Sequence, residues 1–285
     1  MRAVLQVCRR ARKLIPSRIY IVGAGPGAAD LLTLRAASLL RAADVVLHDD
    51  LVPEEILALC PPSAQMVNVG KRCGRNGSSQ EQINALMVWY AREVQPPTQP
   101  QTIVRLKSGD PAVFGRLGEE MDALRRAGVQ FEIVPGVTAA SAAAAAAQIT
   151  LTDRRAASAL VIVTAHNIRG EQLQAEGFDP RRTSFAVYMP GPDYGRTARE
   201  LIESGVSPAT PCVLVSHAGR SSEQHCFMAL GDLPSVCGVT APAILIVGDV
   251  TRRLSEEAAA FDKPLRTESA LLNEDHSPQI GCTLS

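Results

Sequence analysis

Short apolar segments that end at a glycine or a turn alternate with helical patterns along most of this chain. The first of them, RIYIVGAG at 18–25, predicts a β-strand, and apolar residues then recur at helical spacing from Ala28 to Ala43. Such alternation favours a parallel or mixed sheet with helices packed on its faces. The sequence therefore predicts an α/β fold.

The alternation continues to about residue 252 and is divided by PGVTAAS at 135–141, which we interpret as a hinge. Strands are predicted at 18–25, 44–48, 65–69, 102–107, 131–134, 159–164, 184–189, 211–216 and 243–247, and helices at 28–43, 80–93, 119–127 and 196–204. We expect two α/β domains, residues 18–135 and 136–252. A basic N-terminal extension, 1–17, and a polar tail, 253–285, lie outside them, and we expect the tail to be largely disordered.

The composition is that of a folded protein with no overall charge. Hydrophobic residues make up 46% of the 285 residues and charged residues 20%, which suits a sizeable core. The formal net charge of zero gives no general attraction to nucleic acid or to an anionic membrane, so we expect a small-molecule ligand. The longest run of small apolar residues, 139–147, is far too short to cross a bilayer.

The cysteines and the N-terminus bear on location. The seven cysteines are scattered, with no spacing typical of a metal site or a disulfide framework, which favours a reducing cytoplasm. The first 17 residues are basic, contain no acid and lack the pattern of a secretory signal. We expect a frayed extension or a start-site artefact there, with an organellar presequence as the alternative.

A glycine-rich loop, Gly23-Ala24-Gly25-Pro26-Gly27-Ala28, follows the first strand. Its G-x-G-x-x-A pattern, with acids some 20 residues later, matches the dinucleotide-binding fingerprint and makes a nicotinamide-dependent oxidoreductase one hypothesis. Pro26 argues against it, because proline removes an N–H donor from a loop that should bind a pyrophosphate. A loop for a neutral or cationic ligand and a purely structural turn both remain open.

A second loop, Ser108-Gly109-Asp110-Pro111, follows the strand at 102–107. Loops at the carboxyl ends of parallel strands are where open α/β sheets bind ligands. Gly109 permits an unusual backbone conformation and a close approach of ligand to backbone. An ordinary strand-to-helix loop, with Asp110 capping the turn at Pro111, is the alternative.

Several segments occur together in one order along the chain. They are IVGAGPGAADLLTLRAASLLRAADVV (21–46), VGKR (69–72), VRLKSGDPAVFGRLGEE (104–120), VPGVTAASAAAAA (134–146), LTDRRAAS (151–158), VTAH (163–166), VYM (187–189) and PAILIVGDV (242–250). This set resembles the tetrapyrrole methylase family, and most closely its branch that methylates uroporphyrinogen III. The resemblance covers about residues 18–252.

The resemblance implies a class III methyltransferase fold, with S-adenosylmethionine bound in the cleft between two α/β domains, and a homodimer. It implies transfer of methyl groups to C2 and C7 of uroporphyrinogen III, which gives precorrin-2 for sirohaem and cobalamin and leaves S-adenosylhomocysteine. The family's cofactor positions fall on Pro26, Ser108, Gly109, Asp110, Val113, Thr138, Ala139 and Met189, and a family glycine falls on Ala218. The other interpretation of Met189 is simple packing.

Two positions carry the family's proton chemistry. Asp49 corresponds to the proposed proton acceptor and Lys71 to the proposed proton donor. Without the resemblance, Asp49 reads as a loop cap and Lys71 as a solvated charge. The substrate's carboxylates call for arginines, since guanidinium pairs bidentately with carboxylate. We assign Arg72, Arg116 and Arg154, with Arg75, Arg105 and Arg155 as further candidates.

Three departures from the family pattern bear on these assignments. Asp50 stands where the family usually has an arginine, Ser108 replaces a glycine, and Asp153 replaces a histidine. The open alternatives are a methylase that acts on a later corrin precursor, a relative that only binds ligand, and the nicotinamide-dependent oxidoreductase.

Overall fold

A computed structural model describes residues 18–70, 79–92, 101–165, 178–191 and 193–252. These residues contain two five-stranded sheets with helices around them, so the predicted α/β fold is confirmed. The predicted extension, 1–17, the predicted tail after Arg252, and Lys71, Arg72 and Arg75 lie outside the described residues.

The first sheet is entirely parallel. Its strands are β1 (Arg18–Gly23), β2 (Val45–His48), β3 (Gln65–Asn68), β4 (Thr102–Lys107) and β5 (Phe131–Val134), in the order β3-β2-β4-β1-β5. Helices α1 (Leu34–Arg41), α2 (Glu54–Leu57), α3 (Gln80–Arg92) and α4 (Leu117–Arg126) accompany it. All five strands therefore end at one edge, which is the edge that carries the glycine-rich loops.

The second sheet is mixed. After helix α5 (Ala139–Ala146), its strands are β6 (Ala159–Thr164), β7 (Thr183–Tyr188), β8 (Pro211–Ser216), β9 (Gln224–Ala229) and β10 (Ala243–Val247), with helix α6 (Tyr194–Glu203) between β7 and β8. The order is β6-β7-β10-β8-β9, and only β6 and β7 run parallel. The described residues up to Thr251 belong to one compact unit, and the division at 135/136 stays a prediction.

Alternation along the strands of the first sheet supplies a core on both faces. Ile19 and Ile21 of β1 pack with Met87 and Leu124 of the helices on one face, while Val22 packs in the cluster on the other. Successive side chains of a strand point to opposite faces, so the buried residues of β1, Ile19 and Ile21–Gly23, require helices on both faces. Within the described residues, no helix is long and apolar enough to cross a membrane.

The main error at the level of elements is the start of the first helix. The pattern predicted a helix from Ala28, but α1 begins at Leu34 and a short 3₁₀ turn occupies Ala29–Leu31. Thr33 explains the difference, because its hydroxyl accepts a hydrogen bond from the Ala36 amide (3.1 Å) and caps the helix. Helices α2 and α5 and strand β9 were not predicted.

Candidate functional site

The loops that follow β1, β4 and β5 touch one another through bare backbone. The Gly25 amide donates to the Gly109 carbonyl (3.2 Å) and the Gly109 amide to the Gly25 carbonyl (2.7 Å), with φ of +68° at both residues. A Cβ on Gly136 would lie 2.4 Å from the Gly109 carbonyl oxygen, and one on Gly23 would lie 2.6 Å from it. Glycine is therefore required at this contact, which we call the glycine cradle (Gly23, Gly25, Gly109 and Gly136).

Asp110 stabilises the glycine cradle through hydrogen bonds from backbone amides to its carboxylate. Its Oδ1 accepts from the Ala112 amide (2.8 Å), which is the turn-capping role considered above, and its Oδ2 accepts from the Gly136 amide (3.0 Å). The carboxylate thus ties the end of β4 to the end of β5. Ser108 beside it is half-buried. The cofactor contacts predicted for Ser108 and Asp110 stay predictions.

A tyrosine that the sequence analysis missed organises the opposite wall. The hydroxyl of Tyr188 accepts from the Ala140 amide (3.0 Å) and is hydrogen-bonded to the Thr138 hydroxyl (2.5 Å). Val113 and Ala139 pack against the buried cluster that contains Tyr188 and Ala218. The structure thus brings together Val113, Thr138, Ala139 and Ala218, and the methyl group of Ala218 packs where the family has a glycine.

Strained backbone surrounds this wall. Phe114, Met189 and His217 have φ of +52°, +49° and +50°, in the left-handed region that non-glycine residues rarely adopt. Such residues cluster at ligand-binding sites, where the surrounding structure holds them in place. Met189 is 48% exposed, so about half of its surface is open to solvent. The Phe114 ring centroid lies 5.1 Å from that of Tyr188.

Pro26 is buried and held by the loop after β8. Arg220 donates from Nε to the Pro26 carbonyl (3.2 Å) and from Nη2 to the Leu51 carbonyl (2.7 Å). A Cβ on Gly219 would lie 3.0 Å from Pro26 Cγ, so the two loops are in close contact. Burial lowers the pKa of the Arg220 guanidinium from its ordinary value. One side chain of the second sheet's loops therefore fixes two loops of the first sheet.

Asp49, the predicted proton acceptor, follows β2 at the same edge. Its Oδ1 accepts from Arg105 Nη2 (2.6 Å), so its side chain does not act as a loop cap. Its Oδ2 has no hydrogen-bond partner among the described residues. Asp50, the other candidate, accepts from the Asn68 side chain (2.6 Å). The structure thus distinguishes the two carboxylates by their partners.

The arginines expected around the substrate have different surroundings. Arg105, one of the further candidates, is only 2% exposed and bound to Asp49 and Glu120, so its guanidinium is engaged inside the protein. Arg116 is exposed and pairs bidentately with Glu119 (2.8 and 2.7 Å). Arg154 is exposed, and within the described ranges its side chain makes no hydrogen bond or ion pair.

Asp153, one of the three departures from the family pattern, is hydrogen-bonded to Arg155. It accepts from the backbone amide and the guanidinium of Arg155 (2.8 to 3.0 Å), and these hydrogen bonds lower the pKa of Asp153 to about 2. Arg155 is thereby engaged locally. The loop at 151–158 thus gains an internal ion pair where the family has a histidine.

Two surface cavities, of about 520 and 410 Å³, lie elsewhere. The first is between α3 and α4, beside Trp89 and Arg126. The second is lined by Arg18 and Phe131, which begin β1 and β5 and so mark the amino edge of the sheet. Ligands of open parallel sheets bind at the opposite, carboxyl edge, so the glycine cradle is the better candidate.

Comparisons with known proteins identify the family of this chain. The family model of tetrapyrrole (corrin/porphyrin) methylases matches residues 18–234. The uroporphyrinogen-III C-methyltransferase of Paracoccus denitrificans is 40% identical over 261 residues, which are 90% of this chain and 88% of that protein. Siroheme synthase 1 of Yersinia pseudotuberculosis is 37% identical over 94% of this chain, but the chain spans only 56% of that protein.

Solved structures give the same result. The uroporphyrin-III C-methyl transferase of Thermus thermophilus complexed with S-adenyl homocysteine has a TM-score of 0.70 and 38% identity, covering 83% of this chain and 99% of that one. A cobalt precorrin-4 methyltransferase also has a TM-score of 0.70, with 30% identity and coverage of 83% and 96%.

Proposed function

The chain belongs to the tetrapyrrole methylases, and we propose that it transfers methyl groups from S-adenosylmethionine to C2 and C7 of uroporphyrinogen III, giving precorrin-2. The observation that carries this proposal is the pairing of the glycine cradle with the Thr138–Tyr188 wall at the carboxyl edge of the parallel sheet. Precorrin-2 leads to sirohaem and cobalamin, and the siroheme synthases among the relatives are consistent with that role.

The residues of the site fit S-adenosylmethionine. A Cβ on Gly109 would meet no atom within 4 Å, so the backbone there faces open space that a ligand can enter. Thr138 and the backbone near Gly109 suit its polar edges, and Val113, Ala139 and Ala218, with the exposed side chain of Met189, supply apolar contact. We propose these residues, with Pro26, Ser108 and Asp110, as the cofactor site.

The chemistry follows from the placement of Asp49. When bound, S-adenosylmethionine supplies a methyl group on a positively charged sulfur. Transfer of that group to an electron-rich ring carbon depends mainly on alignment and on a site that excludes water. The methylated ring is cationic and releases a proton, which Asp49 Oδ2 can accept because only Oδ1 is bound to Arg105. Lys71 is proposed as the proton donor.

Substrate binding and assembly complete the proposal. The carboxylates of the substrate suit Arg72, Arg116 and Arg154, two of which are exposed in the structure. We also propose a homodimer in the cytoplasm. The family resemblance supports the dimer, and the free cysteines among the described residues, Cys60, Cys212, Cys226 and Cys237, are compatible with a reducing compartment. The molar mass from light scattering tests the dimer.

Product analysis tests the reaction. The protein is incubated without oxygen with uroporphyrinogen III and S-adenosylmethionine, and the tetrapyrrole is analysed by mass. A gain of two methyl groups, matched by S-adenosylhomocysteine, is expected. No gain in a preparation that binds S-adenosylhomocysteine would contradict the acceptor, and activity on a later corrin precursor would favour the alternative methylase. Pro26 argues against the nicotinamide-dependent oxidoreductase, because proline lacks the N–H donor that a pyrophosphate loop needs.

A further inference from the structure

Three charged side chains are buried beneath Asp49. Arg105 and Lys107 of β4 are 2% and 3% exposed, and Glu120 of α4 is 0% exposed. Buried charges are costly unless they are paired and hydrogen-bonded, and replacing such a group with apolar residues often leaves stability unchanged or higher. Stability alone therefore gives no reason for this cluster, and a role in the function of the neighbouring site is the better explanation.

Glu120 is the centre of the cluster. Its Oε1 accepts from Arg105 Nε (3.0 Å), Lys107 Nζ (2.9 Å) and Gln80 Nε2 (3.5 Å). Burial, and then the charge of Arg105, lower the pKa of Lys107, while Glu120 opposes them. Together with Asp49, the cluster has two positive and two negative groups, so its formal charges cancel.

Arg105 connects Glu120 to Asp49 through its guanidinium. Its Nη1 donates to the carbonyls of Leu47 (3.3 Å) and Leu106 (3.1 Å), while Nη2 donates to Asp49 Oδ1 (2.6 Å). Burial alone would lower the pKa of Arg105, but the charges of Asp49 and Glu120 raise it, so the guanidinium stays charged. Its planar fork has one orientation that serves all these acceptors.

We propose that Glu120 is a positioning residue for methyl transfer: it fixes the Arg105 guanidinium, which holds Asp49 Oδ1 and leaves Oδ2 for the substrate. This inference rests on the proposed function, because it assigns Asp49 the proton that the ring releases. Two titratable residues flank Asp49 in the sequence, His48 and Asp50, and Asp50 is bound to Asn68.

A double-mutant cycle tests the proposal, with kcat for methyl transfer and the Kd for S-adenosylhomocysteine as readouts. Glu120→Gln keeps the size of the side chain and removes its charge. We expect kcat to fall about 10- to 100-fold because a displaced catalytic group costs on that order. The Kd should change by less than about threefold. In an Asp49→Asn background, Glu120→Gln should lower kcat little further, since both changes act through one group.

The control is Asp122→Asn on the same helix. Asp122 is exposed and pairs only loosely with Arg125 (3.5 Å), so this change should leave kcat and Kd as in the wild type. If the falls in kcat from Glu120→Gln and Asp49→Asn multiply in the double variant, Glu120 acts independently of Asp49. That result would overturn this inference but leave the proposed function standing. Absence of methyl transfer by the wild type would overturn the proposed function, and the inference with it.

A second variant covers the case in which Glu120→Gln does not fold. Arg105→Lys keeps the buried positive charge but lacks the fork that reaches Glu120 and Asp49 together. We expect a similar fall in kcat with S-adenosylhomocysteine binding retained. Wild-type kcat in folded Arg105→Lys would overturn the proposal.

Discussion

At the scale of single residues, the Tyr188 hydroxyl joins helix α5 to the end of β7. It bonds both the Ala140 amide and the Thr138 hydroxyl. Tyr188→Phe leaves a buried amide without its partner, which should lower the free energy of unfolding by about 1–3 kcal/mol. Because Thr138 loses its orientation, we also expect weaker S-adenosylhomocysteine binding. Chemical denaturation and calorimetry measure the two effects.

Tyr20→Phe is the matched control for that change. The Tyr20 hydroxyl of β1 takes part in no hydrogen bond within the described part of the chain, so its loss should alter neither quantity. Equal behaviour of the two variants would contradict the role given to Tyr188. Phenylalanine keeps the aromatic ring and its packing, so any effect of Tyr188→Phe comes from the loss of the hydroxyl that orients Thr138.

At the scale of elements, the glycine cradle fixes how the loops after β1, β4 and β5 meet. Gly136→Ala places a Cβ 2.4 Å from the Gly109 carbonyl oxygen. This oxygen belongs to the backbone, so it cannot rotate away as a side chain could. Overpacking of this kind costs about 1–3 kcal/mol. We expect lower stability in urea and weaker cofactor binding from this substitution.

Gly118→Ala is the control at that scale. Gly118 lies in α4, and a Cβ there would meet nothing within 4 Å. Alanine in a helix is favoured over glycine by about 0.5–1 kcal/mol, so this variant should be slightly more stable. A Gly136→Ala protein as stable as Gly118→Ala would show that the loops do not meet as described.

At the scale of elements, burial and periodicity decided which strands and helices could be predicted from the sequence. Strands β1, β2 and β4 of the first sheet were predicted nearly to the residue because they are apolar and largely buried on both faces. Strand β9, with the sequence QHCFMA, is a half-exposed edge strand without clean alternation, so its pattern gave no signal. Helix α5 is almost all alanine, which has high helix propensity but no periodicity to detect.

Only part of the candidate site could be predicted from the sequence. Its glycines and Asp110 stand in local motifs and could be identified from sequence, whereas their partners are distant along the chain. Tyr188 bonds a residue 50 positions earlier, and Arg220 bonds Pro26 across 194 positions. Arg105 was a candidate for substrate binding because sequence does not reveal burial, and the structure buries it. Contacts of this kind depend on how the sheets pack, which no local pattern encodes.

At the scale of the whole molecule, Arg220 connects loops of the first sheet to the second. Arg220→Met keeps much of the apolar stem but removes the donors to the Pro26 and Leu51 carbonyls. Hydrogen bonds from charged groups contribute about 1.5–3 kcal/mol. We therefore expect S-adenosylhomocysteine binding to weaken by about 10- to 100-fold, by the conversion of 1.4 kcal/mol per tenfold. Unchanged affinity, measured by calorimetry, would contradict this connection.

The most direct test of the proposed site is a crystal structure of the protein with S-adenosylhomocysteine. The ligand should lie at the carboxyl edge of the parallel sheet, within hydrogen-bonding distance of the Gly109 and Ala139 segments and with its sulfur on the Asp49 side. Ligand bound elsewhere, for example in the cavity between α3 and α4 beside Trp89, would contradict the assignment of the glycine cradle as the cofactor site.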